Sequence, residues 1–403
     1  MLSQVLVVIA MPVLTRMYSP SSFGELALFS SLYAILVAIS TLKFDQAILL
    51  PIDRQPAELL TLLAVAISAF LSGHLLIGIA LVDILGFASI PWFYFLLPIA
   101  LVIGAFLSVG QQWCSREKAF SYIGTGMVLS TLVNVSLSFL FYWTRLLGGG
   151  LVLSFVLANF SAALYICVQK SAVFLDLASA FKNIKADTLK TLFWENRDLP
   201  LYVLPNVVLT SLAYQVLPIL IAHFFDSATT GLYSVANRLM ILPSILVGNV
   251  VLEVFKSEFV TKLHARAGYL QFFDKTLLWL IALAIPTYGL IWLLSPMLFH
   301  IMFGQNFLLA GEFARYLCLG VAGTFFVQSF AYVYIALGRT KVSTILQIAS
   351  SVGQLVGFLI GAIQGSIHLA LLYMSFITFA ASVIFVYFAH HLTKVRANSS
   401  TGP

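Results

Sequence analysis

The chain has 403 residues, 61% of them hydrophobic and only 9% charged, with a net charge of +6. A soluble domain carries about 25% charged residues. With a mean hydropathy of +1.02, this is the composition of a polytopic membrane protein whose main solvent is lipid. Soluble enzymes, nucleic-acid-binding domains and disordered chains are excluded, so no nucleic-acid partner is expected. An outer-membrane barrel is excluded too, because the apolar runs are about 20 residues long rather than alternating 10-mers.

Apolar runs fall at 1–15, 25–42, 59–82, 91–110, 122–143, 147–168, 201–224, 232–252, 277–299, 313–337, 342–363 and 368–390. They predict twelve transmembrane helices in an all-α fold. The first run rises only about 22 Å at 1.5 Å per residue, against a hydrocarbon core of about 30 Å, so a helix that starts further upstream is expected. No basic residue precedes it and no small-residue cleavage site follows it, so no cleavable signal peptide is expected. With the N-terminus in the cytoplasm, 17 of the 21 basic residues fall on the cytoplasmic side. Arg16 and Arg145 fall on the far side, and Arg238 and Arg315 within helices. That asymmetry orients the chain with both termini in the cytoplasm.

Two cytoplasmic segments are longer than the rest. Residues 169–200 place Phe174, Leu177, Phe181, Ile184 and Leu192 at helical spacing between lysines, which predicts an amphipathic helix on the inner leaflet. Residues 253–276 do the same with Phe255, Phe259 and Leu263. The chain also repeats itself. Tyr18–Gly24 matches Phe225–Gly231: an aromatic, small capping residues, then glycine. Arg116-Glu117-Lys118 matches Arg339-Thr340-Lys341. The organisation expected is a six-helix lobe over 1–168, a linker over 169–200, a second six-helix lobe over 201–390 and a cytoplasmic tail over 391–403. An even number of helices per lobe makes the repeats parallel, around a central cavity.

No Walker loop, HExxH, GxSxG or paired acidic motif is present. The far-side acids Asp83, Asp226 and Glu312 are isolated, with Glu25 at the start of helix two. No enzyme activity, cofactor or metal is therefore expected, and Cys114, Cys167 and Cys318 read as small apolar residues. Gly353, Gly357, Gly361 and Gly365 recur every fourth residue. Such a ridge either packs a neighbouring helix closely or forms a smooth wall. Polar groups inside the membrane are expensive and therefore functional candidates. Arg238, after Asn237, is the deepest cation. Its helical stripe passes Leu242, Ile245, Asn249 and Glu253. It either lines a cavity, pairs with an acid such as Glu253, or snorkels. Arg16 and Arg315 sit near far-side helix ends, and Lys43 and Asp45 at a cytoplasmic end on different faces. Asn206 and Gln215 lie on a helix that Pro205 and Pro218 should bend. Asn134 shares a polar stripe with Ser130 and Ser138, where hydrogen bonding between helices is expected.

Several of these stretches resemble a known family. Leu14-Thr15-Arg16-Met17-Tyr18-Ser19-Pro20-Ser21-Ser22-Phe23-Gly24 resembles the opening of bacterial polysaccharide exporters and O-antigen flippases. So do Thr41-Leu42-Lys43-Phe44-Asp45-Gln46-Ala47-Ile48, Gln111-Gln112-Trp113, and Gly231-Leu232-Tyr233-Ser234 through Asn237-Arg238 to Pro243. These belong to the multidrug/oligosaccharidyl-lipid/polysaccharide (MOP) exporter superfamily. The resemblance implies two six-helix lobes around a cavity in the cytoplasmic (inner) membrane. It also implies that an undecaprenyl-diphosphate-linked oligosaccharide crosses between leaflets by alternating access. Implied partners are that lipid-linked oligosaccharide, membrane lipids, and polysaccharide polymerase and chain-length proteins. Family members normally carry a basic leader and half a helix before this opening. A multidrug-type cation antiporter of the same superfamily is the alternative; it needs buried acids, whereas the deepest charge here is Arg238. A membrane glycosyltransferase or polymerase would need a far-side catalytic loop.

Overall fold

A computed structural model describes residues 2–86, 89–146, 148–171, 173, 186–244, 248–265 and 267–400. Among the described residues the regular structure is helical, without strands. Lipid offers the backbone no hydrogen-bond partners, and only a helix satisfies its own. The chain divides into two compact units, Met1–Ala222 and His223–Pro403.

The first unit contains α1 (Leu2–Met17), α2 (Pro20–Ser40), the single turn α3 (Phe44–Ala47), α4 (Arg54–Ile84), α5 (Leu97–Arg116), α6 (Phe120–Trp143), α7 (Gly150–Gln169), α8 (Ala186–Glu195) and α9 (Leu204–Phe224). The second contains α10 (Ser227–Met240), α11 (Asn249–His264), α12 (Tyr269–Phe303), α13 (Leu308–Ala336), α14 (Thr340–Ile363) and α15 (Ile367–Ser400). Ten of the described helical spans are long and apolar enough to cross a membrane. The chain is a multi-pass membrane protein. Of the twelve expected spans, the remaining two are shorter: α1 with 16 residues, and the eighth, which breaks after Met240 into α10 and α11. Pro243 follows that break. It lacks the N–H that would bond Leu239 O, and its ring crowds that carbonyl, which kinks or breaks a helix.

The sequence repeat is a repeat of helix caps. The Ser19 side chain accepts from Ser22 N and starts α2; the Asp226 carboxylate accepts from Thr229 N and starts α10. Both caps have extended backbone, as an N-cap requires. At the other match, α5 ends with Lys118 N donating to Ser115 O and Ala119 N to Cys114 O. α13 ends alike, with Gly338 N donating to Ile335 O and Arg339 N to Tyr334 O. Lys118 and Gly338 hold the positive φ, 56° and 68°, that this helix ending needs. The structural equivalent of Lys118 is thus Gly338, so the triplet match that paired Arg116 with Arg339 is out of register by three residues.

The glycine ridge packs. A Cβ on Gly361 would lie 2.2 Å from Ala370 N, and on Gly357 3.1 Å from Met374 N, so α14 and α15 meet backbone to backbone. Gly365, with φ +74°, forms the turn between them. The segment at 253–276 departs from the expectation. Phe255 and Phe259 are fully buried in an aromatic cluster with Phe272, Phe273 and Phe330, ring centroids 4.4 to 5.6 Å apart. Their apolar face packs on the helix bundle rather than on lipid. In the segment at 169–200, Phe174, Leu177, Phe181 and Ile184 lie outside the described residues. Its described end packs inward, with Phe193 against Phe44 at 5.2 Å.

Candidate functional site

In the first unit, Leu42 and Lys43 both take left-handed backbone, φ 47° and 67°, and turn the chain from α2 into α3. Non-glycine residues adopt this conformation only when the surroundings hold them there. The turn is held locally, with Phe44 N donating to Thr41 O at 3.0 Å, and Arg116 anchors the chain that follows it. Its guanidinium donates to Ile48 O at 2.8 Å, Ile52 O at 2.9 Å and Asp53 O at 3.0 Å. The hook so formed buries Asp45, which is 3% exposed. Thr41 Oγ1 donates to Asp45 Oδ1 at 2.5 Å, and Ser108 Oγ to Oδ2 at 2.7 Å. Lys43 stays partly exposed, so the two charges lie in different surroundings. Nearby, Lys170 pairs with Glu117 and sits over the Tyr122 ring.

The neutral polar candidates hold helices together. Tyr18 Oη donates to Ser138 O at 2.7 Å, and the Ser138 and Ser154 hydroxyls meet at 3.0 Å, joining α6 to α7. Asn134 is bonded only within α6, where its main-chain carbonyl accepts from Ser138 Oγ at 2.8 Å. On α9, Ser31 Oγ donates to Gln215 Oε1 at 3.2 Å. Asn206 is exposed, three residues after a π-type turn at Leu199–Val203, a feature that recurs at functional sites. Arg16 is exposed in the last turn of α1.

In the second unit, Asn237 and Arg238 lie in the last turn of α10. Arg238 is exposed, and its side chain makes no hydrogen bond or ion pair among the described residues. Glu253, the expected acid partner, instead faces Lys256 at 3.8 Å. The stripe from Arg238 to Asn249 and Glu253 passes through residues 245–247, which lie outside the described residues, as does the Asn249 side chain. The C-terminal end of a helix favours a cation, which is where Arg238 sits. Arg315 has a structural task. Its Nε donates to Trp292 O at 2.9 Å and its Nη2 to Leu293 O at 3.2 Å. Pro296 lacks the N–H that would have bonded Trp292 O in α12, so Arg315 satisfies the carbonyl that the proline frees. Within each unit the candidates do not converge on one constellation. Each unit holds its own polar groups. Thr41 and Ser108 beside Asp45, and Ser31 beside Gln215, were missed because two of these contacts span 63 and 184 residues.

No group of three or more metal-ligating side chains occurs among the described residues. A family model described as "Polysaccharide biosynthesis protein" matches residues 13–312. The chain belongs to that family. The match runs from the helix-one end that carries Arg16 to the start of α13. No curated protein matches the sequence. Among solved structures, an inward-facing multidrug resistance MATE transporter of the MOP superfamily matches with TM-score 0.71 at 16% identity, over 98% of this chain and 95% of that one. The lipid II flippase MurJ, in an inward closed conformation, matches with TM-score 0.71 at 13% identity, over 96% and 85%. A MOP superfamily transporter from Pyrococcus furiosus matches with TM-score 0.52 at 15% identity, over 100% and 92%. This member of the polysaccharide biosynthesis family thus has the two-lobe fold of MOP superfamily transporters.

Proposed function

We propose that the chain is a flippase that moves an undecaprenyl-diphosphate-linked oligosaccharide, an O-antigen, capsule or exopolysaccharide repeat unit, across the bacterial cytoplasmic membrane. The observation that carries the reading is Arg238: an exposed cation without an acid partner among the described residues, next to Asn237, inside an apolar chain. An unpaired guanidinium at membrane depth is costly unless it faces water or an anion, and its planar fork suits a diphosphate. The sugar family and a fold shared with a lipid II flippase support the same substrate class. The apolar tail can stay in lipid while lobes over 1–168 and 201–390 rock about the head group. No bond is made or broken, so the reading needs no cofactor or metal.

Deletion of the gene in a host with intact repeat-unit synthesis tests this. Lipid-linked repeat units should accumulate on the cytoplasmic leaflet and surface polysaccharide should disappear, while susceptibility to cationic drugs stays unchanged. Raised drug susceptibility with normal surface polysaccharide would instead establish the multidrug antiporter.

A further inference from the structure

The second unit contains a cavity of about 1370 Å³ between α12, α13 and α15. Each helix contributes one stripe at three- and four-residue spacing. Leu277, Ile281 and Ile285 come from α12, Leu319 and Phe326 from α13, and Val383 from α15. The stripe on α12 runs from Asp274 to Trp292 and that on α15 from Leu372 to His390. Eighteen residues of helix rise about 27 Å, close to the ~30 Å of a hydrocarbon core. The cavity is thus an apolar groove as long as the bilayer is thick.

Its two ends differ. At one, His390 Nε2 meets Asp274 Oδ1 at 3.0 Å and the Phe273 ring lies 5.6 Å from the imidazole. At the other stand Glu312 and Arg315, one helical turn apart. Arg315 uses two donors on the α12 carbonyls and lies over the Trp292 ring at 5.6 Å. The other three of its five donors have no partner among the described residues. The Glu312 carboxylate has none either, and the two charges make no ion pair with each other. One unpaired cation and one unpaired anion therefore share the mouth of a bilayer-long apolar groove, beside a tryptophan of the kind that marks the headgroup level.

We propose that this groove binds phosphatidylethanolamine, with an acyl chain along the groove, the phosphate on Arg315 and the ammonium on Glu312. The match is one of charge. Phosphatidylglycerol would satisfy Arg315 and leave Glu312 unpaired. The quaternary ammonium of phosphatidylcholine has no N–H for the carboxylate. Charge-assisted hydrogen bonds at both groups favour a head that donates and accepts. This lipid site goes beyond the transport reading and does not depend on it.

Native mass spectrometry of the full chain in detergent, with the three lipids at matched acyl chains, tests the proposal. The unmodified protein should retain phosphatidylethanolamine about tenfold over the other two, the worth of one charged hydrogen bond. Glu312→Gln should erase that preference without lowering total lipid retained. Gly289→Leu should lower the retention of all three lipids, because Gly289 lines the groove and an added Cβ there meets nothing within 4 Å. Thermal midpoints without lipid confirm that both variants fold. Equal retention of the three lipids by the unmodified protein, or unchanged phosphatidylethanolamine on Gly289→Leu, overturns it.

Discussion

The proposed transport rests on Arg238. A charged hydrogen bond contributes about 1.5–3 kcal/mol, roughly a tenfold to hundredfold effect. Arg238→Ala should therefore cut complementation of a flippase-deficient strain about tenfold or more, with protein abundance near normal, because no acid is left unpaired. Arg238→Lys should keep part of the activity, since the charge remains and the fork is lost. Complementation with parallel immunoblots checks both, and a fully active Arg238→Ala variant would exclude it from substrate contact. Its candidacy was legible in the sequence, since an arginine in an apolar run stands out. That it has no acid partner among the described residues was not, because only the fold shows that Glu253 faces Lys256 instead. Asp45 shows the opposite limit. Thr41 lies four residues away and could be suspected, but Ser108 comes from α5, 63 residues on, and only the fold brings it near. The sequence also gave no sign that Arg315 would serve the carbonyl freed by Pro296, nineteen positions earlier.

At the scale of elements, periodicity located the helices but not what they face. An apolar stripe has the same spacing whether lipid or protein covers it, so Phe255 and Phe259 were assigned to the leaflet and are found inside an aromatic cluster. The glycine ridge was legible as a packing surface, and the structure grades its members. Gly361 meets backbone at 2.2 Å, which cannot give way, whereas Gly353 meets only Ile377 Cγ2 at 2.9 Å. Gly361→Ala should thus destabilise by about 1–3 kcal/mol or more, as overpacking does, and Gly353→Ala by less. Thermal midpoints of the two variants in detergent check the order; equal midpoints would mean that α14 and α15 separate freely. The cap repeat was legible because N-caps demand particular side chains. The helix endings at Lys118 and Gly338 were misregistered because a helix ending is defined by backbone hydrogen bonds, which different side chains satisfy alike.

For the whole molecule, the sequence already excluded a soluble fold, and ten described helices meet the length and composition for crossing a membrane. The distribution of basic residues predicts the orientation. Reporter fusions at Ser171 and Ser227 should report opposite sides, cytoplasm and periplasm, and agreement between them would refute the positive-inside reading. The Arg116 hook adds a dimension of time. The carbonyls of Ile48, Ile52 and Asp53 wait for a guanidinium 63 to 68 residues later in the chain. At about 5–20 residues per second of synthesis, that is an interval of about 3 to 14 s. During it those three carbonyls lack their donor, and open carbonyls cannot rest in hydrocarbon. The segment after α2 must therefore remain hydrated while α4 and α5 are made, so the first unit is completed by a latch that closes backwards, after the helices it joins have already entered the bilayer.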